Sequence, residues 1–445
     1  MPMRWPRPVS LAAPGAIVRS ALSGILSLAA IAIVAVLLLL LLFEPAVAYR
    51  VRPPAARVGT SEFADYLAAL MDARRFPPGE VQVLGAGEDI FAAELAAIRA
   101  ARRSIHLEAY LFRRGRVARA MLAALEERAR AGVRVRLIAD RYGSLLTPAR
   151  YFSALRRAGG EVFWYQPIAW YTLKRLNNRT HRDLLIVDGE VGFVGGVGIA
   201  DYWVGPARRA RPWRDTMVRV SGALALGLQA SFAENWLEAS GEILPYEEFA
   251  HGQAGESPPG GAEIALVINS SPSEGRSTRA RMLFQLLIAS ARESIRIASP
   301  YFVPDASLCA ELERAGRRGV AVTVIVPGRW NNHPLSRLAS RRRYGRLLEA
   351  GIAIHEYQPA MMHAKVMIVD RAWSVVGSTN FDNRSFGLND EVNLAVLQPA
   401  LAARLEADFG EDLASSAAVT LEDWRRRGLG ERAFAALARV LERQA

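Results

Sequence analysis

Apolar residues follow three patterns along this chain. From Ala21 to Phe43 there is no charge, and the residues are mainly Leu, Ile, Val and Ala. At about 1.5 Å per residue, about 20 such residues cross a hydrocarbon core of ~30 Å, so the run predicts a transmembrane helix. Further on, short segments alternate apolar and polar positions, as in Ser104-Ile105-His106-Leu107-Glu108 and Gly132-Val133-Arg134-Val135-Arg136-Leu137-Ile138. A period of two predicts strands. Between them, Val117 to Arg130 reads as a helix. The second half repeats the order: Ser294 to Phe302 is a strand, a helix follows, and Gly319 to Ile325 answers the second strand. Tyr165-Gln166-Pro167 and Tyr357-Gln358-Pro359 each close a further strand. Strands alternating with helices in a repeat predict an α/β fold of two similar lobes, with mixed, mainly parallel sheets flanked by helices.

The domain plan follows: an N-terminal segment 1–20, an anchor 21–43, a first lobe 60–250, a linker 251–261, a second lobe 262–430 and a helix end 431–445. The linker is rich in Gly, Pro, Ser and Gln. The Arg-rich stretch Leu421 to Gln444 reads as an amphipathic helix packed on the second lobe, with membrane-surface binding as the other reading. Ala46-Val47-Ala48 has the small-x-small form of a cleavage site, but the apolar run before it exceeds the about 7–15 residues of a signal-peptide core. That length favours a permanent anchor. Arg4, Arg7 and Arg19 before the span match Arg50, Arg52 and Arg57 after it, so positive charge does not orient it. Its signal-like position tips the lobes toward the outside of the cytoplasm.

The net charge of +12 points to an anionic partner: a phosphate compound, a nucleic acid or an acidic membrane. Nearly all basic residues are Arg; Lys174 and Lys365 are the two lysines. Cys309 is the single cysteine, which excludes an intrachain disulfide and a cysteine-based zinc site. His106, His251, His333 and His355 are scattered and form no ligand cluster.

The chemistry concentrates at two equivalent places. In the second half His363-Ala364-Lys365 is followed after four residues by Asp370, and after six more by Gly377-Ser378-Thr379-Asn380. On a strand His363 and Lys365 share a face. An imidazole beside an ammonium suits a phosphodiester: one attacks or moves a proton, the other neutralises oxygens. The Gly377-Ser378 turn admits backbone N–H groups to a phosphate, and Asn380 can donate from its amide. The first half has the same spacing with different residues: His181-Arg182-Asp183, Asp188, and Gly195-Gly196-Val197-Gly198. Asp183 stands in the lysine position and Gly198 in the asparagine position. Arg182, Arg179 and Arg214 are candidate replacements for the missing cation; alternatively an arginine holds Asp183 away from the pocket.

The second-half pattern, with the repeat over about residues 60 to 430, resembles the phospholipase D superfamily. Ser299-Pro300-Tyr301-Phe302-Val303-Pro304 and the stretch Phe381 to Glu391 resemble bacterial cardiolipin synthases. The resemblance implies His181 and His363 as the catalytic pair, with Lys365, Asn380, Asp188 and Asp370 in the catalytic set. Ser378, Gly377, Gly195, Gly196 and Asp183 would line the substrate. It further implies that Glu391 orients His181, and that Asp215, in Pro212-Trp213-Arg214-Asp215, orients His363. Asp188 and Asp370 are expected to hold strand-to-turn geometry rather than react.

The implied reaction is a phosphatidyl transfer through a phosphohistidine, with His181 attacking and His363 as acid and base, or the reverse. No metal or cofactor is implied. The implied substrate is phosphatidylglycerol or a similar phospholipid, giving cardiolipin and glycerol, at a bacterial cell membrane; no nucleic acid is expected. Trp164, Trp170 and Tyr171 are either an interfacial lip or packing between lobes. Two other readings stay open: a phospholipase D or phosphodiesterase, including a nuclease, and a non-catalytic headgroup binder, which Asp183 and Gly198 motivate. The oligomeric state is left open.

Overall fold

A computed structural model describes residues 14–42, 49–167, 177–205, 211–249, 263–272 and 278–428. The N-terminal segment before Pro14, the linker 251–261, the aromatic pair Trp170 and Tyr171, and the helix end 431–445 lie outside the described residues. The chain divides into two units, one up to Val47 and one from Ala48 onward.

In the first unit a helix runs from Pro14 to Leu42. Its side chains are described over 22–36, and the large apolar ones there, such as Ile25, Leu28 and Ile31, are exposed. Among the described residues no helix is long and apolar enough to cross a membrane.

The second unit holds two large sheets. The first orders its strands as Val81–Leu84, Met217–Ser221, Val191–Gly195, Asp183–Val187, Ser104–Ala109, Arg134–Asp140 and Glu161–Tyr165. The second repeats that order with Ile264–Ser270, Asn389–Leu397, Trp373–Gly377, Val366–Val369, Ser294–Ala298, Ala321–Pro327 and Ala353–Tyr357, and adds edge strands at both ends. Both sheets are mixed, but their strand pairs are mainly antiparallel, which corrects the expected parallel majority. In each sheet the last three strands listed run parallel to one another. Helices such as Arg116–Arg130 and Ala306–Arg317 provide the crossovers those pairs need. The strands that follow each histidine are instead joined by tight turns at Asp188-Gly189 and Asp370-Arg371, and so pair as hairpins.

Alternation along each strand sends one row outward and one inward. Ile105, Leu107, Val135 and Leu137 face an outer layer of helices. Ile138, Leu184, Ile186 and Val194 face inward, where they share a core with Val366, Ile368, Val376 and Leu394 of the second sheet. Helix Ala223–Ser240 covers the inner face of the first sheet and reaches strand Ile264–Ser270; helix Pro399–Ala414 covers the second sheet and reaches strand Val81–Leu84. The two halves therefore embrace symmetrically. The lead-in segment breaks the symmetry. Phe63, Leu67 and Met71 pack into the core of the second sheet, and Arg75–Phe76 pairs with its strand Ile264–Ser270.

Candidate active site

Strands Asp183–Val187 and Val366–Val369 hold equivalent central places in their sheets, and a histidine lies just ahead of each. There the chain crosses to the opposite half. Arg179–Thr180 pairs with Asn389–Asp390, and the His181 N–H donates to the Asp390 carbonyl at 2.9 Å. Correspondingly, Arg214 bridges to Met362, and the His363 N–H donates to the Arg214 carbonyl at 2.6 Å. Each crossing presents the next residue of the foreign segment, Glu391 or Asp215, to the imidazole.

His181 Nδ1 lies 3.0 Å from the Ser378 carbonyl oxygen and 3.3 Å from Glu391 Oε2. Both are acceptors, so Nδ1 carries the hydrogen and Nε2 is left to substrate. His363 Nδ1 lies 2.7 Å from Asp215 Oδ2. Asp215 is itself fixed by the Trp203 indole N–H at 2.9 Å and the Thr216 N–H at 2.8 Å. Lys365 Nζ lies 3.0 Å from His363 Nδ1 and donates to the His363 carbonyl at 2.9 Å. With Nδ1–H given to Asp215, the ammonium acts on the ring through its field.

The first-half glycine Gly196 makes this possible: a Cβ there would sit 2.5 Å from Lys365 Nζ and 2.7 Å from Asp215 Oδ1. Its counterpart Ser378 has a side chain, and that hydroxyl donates to Glu391. Among the described residues the pocket is thus asymmetric, with Lys365 beside His363 and its field also reaching His181. Asp183 accepts from the Tyr110 N–H at 3.2 Å and lies within the electrostatic reach of His181, Lys365 and Asp215.

Burial pushes the His363 imidazole down to about 4, and the Lys365 ammonium adds to the shift. For His181 burial acts downward too, but the Glu391 carboxylate and its hydrogen bond prevail and raise it. Burial also pushes Asp183 up to about 7 and lowers Lys365. Burial opposes ionisation of Asp215 as well, yet Lys365 and His363 hold it below the ordinary carboxylate value. Equivalent rings thus have opposite tendencies.

Asp188 and Asp370 stand apart from this cluster, at the far ends of their strands. Asp188 accepts backbone N–H bonds from Arg102, Arg103 and Ser104, and Asp370 does the same for Arg292, Glu293 and Ser294. They fasten the start of a neighbouring strand, which narrows their place in the catalytic set to the geometry-holding role expected of them. A Cβ on Gly195 or Gly377 would strike the backbone of the adjacent strand, and the Ser378 N–H donates to the Val392 carbonyl. Gly195, Gly377 and the Ser378 N–H are thus engaged in close strand packing. Asn380 is buried with its amide oxygen unbonded. At Gly198 a Cβ would meet Leu111 at 3.0 Å, so an asparagine does not fit there without displacement.

The three candidate arginines are each engaged elsewhere. Arg182 points to the inner face, donating to the Ser231 carbonyl at 2.7 Å and to Glu234 at 2.9 Å. Arg214 binds Asp412 at 2.9 Å, and Arg179 donates to the Gln166 carbonyl. His106 is buried against Glu248 at 3.0 Å. Trp164 packs on Phe152, with ring centres 5.7 Å apart. Sequence reasoning missed the aromatic walls. Tyr110 lies 5.0 Å from the His181 ring, and Trp213, Trp203 and Tyr301 lie 5.1, 5.6 and 6.5 Å from His363. The repeated Tyr110-Leu111-Phe112 and Tyr301-Phe302 ends were the available signal.

Two histidine motifs facing one another across duplicated sheets define a phospholipase D-type architecture. The model of the cardiolipin synthase, phospholipase D-like domain matches residues 95–202 and 285–413. The chain is 35% identical over 361 residues to a probable cardiolipin synthase, YwiE, of Bacillus subtilis, covering 81% of this chain and 71% of that protein. It is 34% identical to a cardiolipin synthase of Geobacillus sp. over 81% of this chain and 72% of the other. Phosphatidylserine synthase of Haemophilus influenzae shares the fold, with a TM-score of 0.69 at 14% identity over 86% of this chain and 100% of that one. The chain belongs to the phospholipase D-like cardiolipin synthase family.

Proposed function

We propose that this protein transfers a phosphatidyl group from one phosphatidylglycerol to another, forming cardiolipin and releasing glycerol. As a member of its family it is a phospholipase D-type phosphatidyltransferase. The observation that carries the mechanism is the pair of crossed imidazole–carboxylate contacts, His181 with Glu391 and His363 with Asp215, around one buried lysine.

The surroundings favour His363 as nucleophile, the reverse of the first assignment made from family resemblance. Its Nδ1–H is given to Asp215, and burial keeps the ring neutral, so the Nε2 lone pair is free to attack phosphorus. The P–O bond to the headgroup glycerol breaks, and that oxygen takes a proton from His181 Nε2. A second lipid hydroxyl then returns a proton to His181 as its oxygen attacks the phosphohistidine and the P–N bond breaks. Lys365 offsets charge on the phosphoryl oxygens. Asp215 and Glu391 position the rings, and Asn380 supplies an amide to the substrate. Asp183 makes a non-catalytic headgroup binder the second reading, because a carboxylate beside His181 repels a phosphodiester.

Purified protein is incubated with phosphatidylglycerol vesicles in EDTA, and products and acid-quenched phosphoenzyme are measured. Cardiolipin that disappears with His363→Ala is expected. Lipid binding without turnover in the folded wild type gives the second reading the case.

We also assign the two sheets to two related lobes, over about 60–250 and 262–430, and the helix Pro14–Leu42 to a single membrane anchor in a bacterial cell membrane. The uncharged run of the sequence supports the anchor. Protein that stays in membrane pellets after alkaline carbonate, and leaves them when residues before Tyr49 are removed, is the expected result. Full extraction of the intact chain by carbonate refutes the anchor.

A further inference from the structure

A cavity of about 360 Å³ is lined by Arg211, Arg329, Trp330, Gln358 and Pro359. Arginines near the site are held by carboxylates, as Arg214 is by Asp412 and Arg341 by Glu356. Among the described residues Arg211 and Arg329 have no such partner. Arg329 lies over the Trp330 ring at 5.0 Å, and Trp330 is 45% exposed at the rim. The walls are tied together: the Gly328 N–H donates to the Tyr357 carbonyl at 3.1 Å, which joins the loop of Arg329 to the loop of Gln358.

Two of the wall segments continue in the chain to His363 and to its partner Asp215. Pro359 precedes His363 by four residues and Arg211 precedes Asp215 by four, and the two segments are bridged at Arg214 and Met362. Four residues of extended chain reach at most about 13–14 Å. The cavity walls are thus tethered to His363 and Asp215 by no more than that length of chain. Two unpaired guanidiniums suit a phosphodiester, whose oxygens they bind in pairs. An exposed indole beside them suits a ligand that arrives from a lipid–water boundary.

We propose that this cavity holds the phosphodiester of the accepting lipid and turns its headgroup hydroxyl toward the phosphohistidine. The assignment rests on the phosphatidyl-transfer reading. It makes substrate choice a matter of competition: a lipid held by Arg211 and Arg329 is presented to the intermediate, while water is not.

The test uses the full chain carrying Arg211→Gln and Arg329→Gln, on phosphatidylglycerol vesicles, with cardiolipin and phosphatidate measured together. The cardiolipin-to-phosphatidate ratio is expected to fall about tenfold or more, as lost charged hydrogen bonds predict, and the apparent KM for acceptor lipid to rise. Arg329→Lys restores part of the ratio, and Arg99→Gln, a distant exposed arginine, keeps the wild-type ratio. An unchanged ratio in the double variant overturns the proposal. So does competition by inorganic phosphate as strong as that by glycerophosphoglycerol, which makes the cavity a general anion site. A wild type that makes neither product sinks the transfer reading instead; the cavity is then judged on glycerophosphoglycerol binding alone, and equal binding by the wild type and the double variant refutes it.

Discussion

His181 and His363 carry the same ring at equivalent positions, and their neighbours set them to different protonation states. His363 is held neutral, down to about 4, by burial and by Lys365 beside it. His181 is held protonated above the ordinary value of 6.5, because Glu391 overcomes burial. The neutral nucleophile and protonated acid of the proposed transfer coexist only between those limits. The rate should therefore rise with pH through the titration of His363 and fall as pH passes the raised value of His181. Asp183 belongs to the alkaline limb, since its carboxylate favours the proton on His181. We expect Asp183→Asn to move the alkaline limb of the kcat profile to lower pH and to leave the acid limb in place. A profile shifted only on the acid side contradicts this. Stability carries a related signature. A histidine whose folded value lies below its unfolded one stabilises fully above pH 6.5, and that contribution drains away as pH falls toward about 4. His181, with a raised folded value, contributes in the opposite sense: in full below pH 6.5, and lost as pH rises through its folded value.

The motif residues were legible at the element scale because chemistry and spacing coincide: a histidine and a lysine two apart, an aspartate at the end of the strand, a glycine at its neighbour's end. What that spacing conceals is which members touch substrate. Asp370 shares the motif's spacing, yet the strand carries it away from His363 to three backbone N–H groups of the segment Arg292–Ser294. It also sits at φ 51°, the left-handed region a hairpin turn uses. Asp370→Ala should cost about 2–3 kcal/mol of unfolding free energy, the scale of charged hydrogen bonds to a part-buried backbone. The folded fraction should keep kcat within about threefold. Urea midpoints and rates per folded enzyme separate the two effects, and a large loss of kcat without a loss of stability returns Asp370 to the chemistry. Alternation revealed most strands, but it is blind to strand direction. A hairpin and a crossover look the same until the connecting length is read, and the short turns after Asp188 and Asp370 were the overlooked clue. The first strands of the unit were hidden for another reason: Arg75–Phe76 is too short to have a period.

At the scale of the molecule, the proposed active site exists only because the halves exchange segments. Glu391 reaches His181 because Asn389–Asp390 pairs with Arg179–Thr180, and Asp215 reaches His363 because Arg214 pairs with Met362. Neither contact is local in sequence: His181 and Glu391 are 210 residues apart, and His363 and Asp215 are 148 apart. No periodicity encodes such a contact; only the family resemblance suggested it. Coupling energies test it directly, because groups that share a contact do not add. In a cycle built from His181→Ala and Glu391→Gln, the second change should cost little once the first is made, since the carboxylate then has no ring to hold. The cycle of His363→Ala with Asp215→Asn should behave likewise. The mismatched cycle, Glu391→Gln with Asp215→Asn, joins two positioning groups that act on different rings, so its two losses in kcat should multiply. With either histidine absent, residual rates sit near the assay floor, so phosphoenzyme formed in a single turnover is the better measure for His181 variants. If the mismatched pair couples as strongly as the matched pairs, the site works as one undivided cluster, and the division of labour between the two histidines fails.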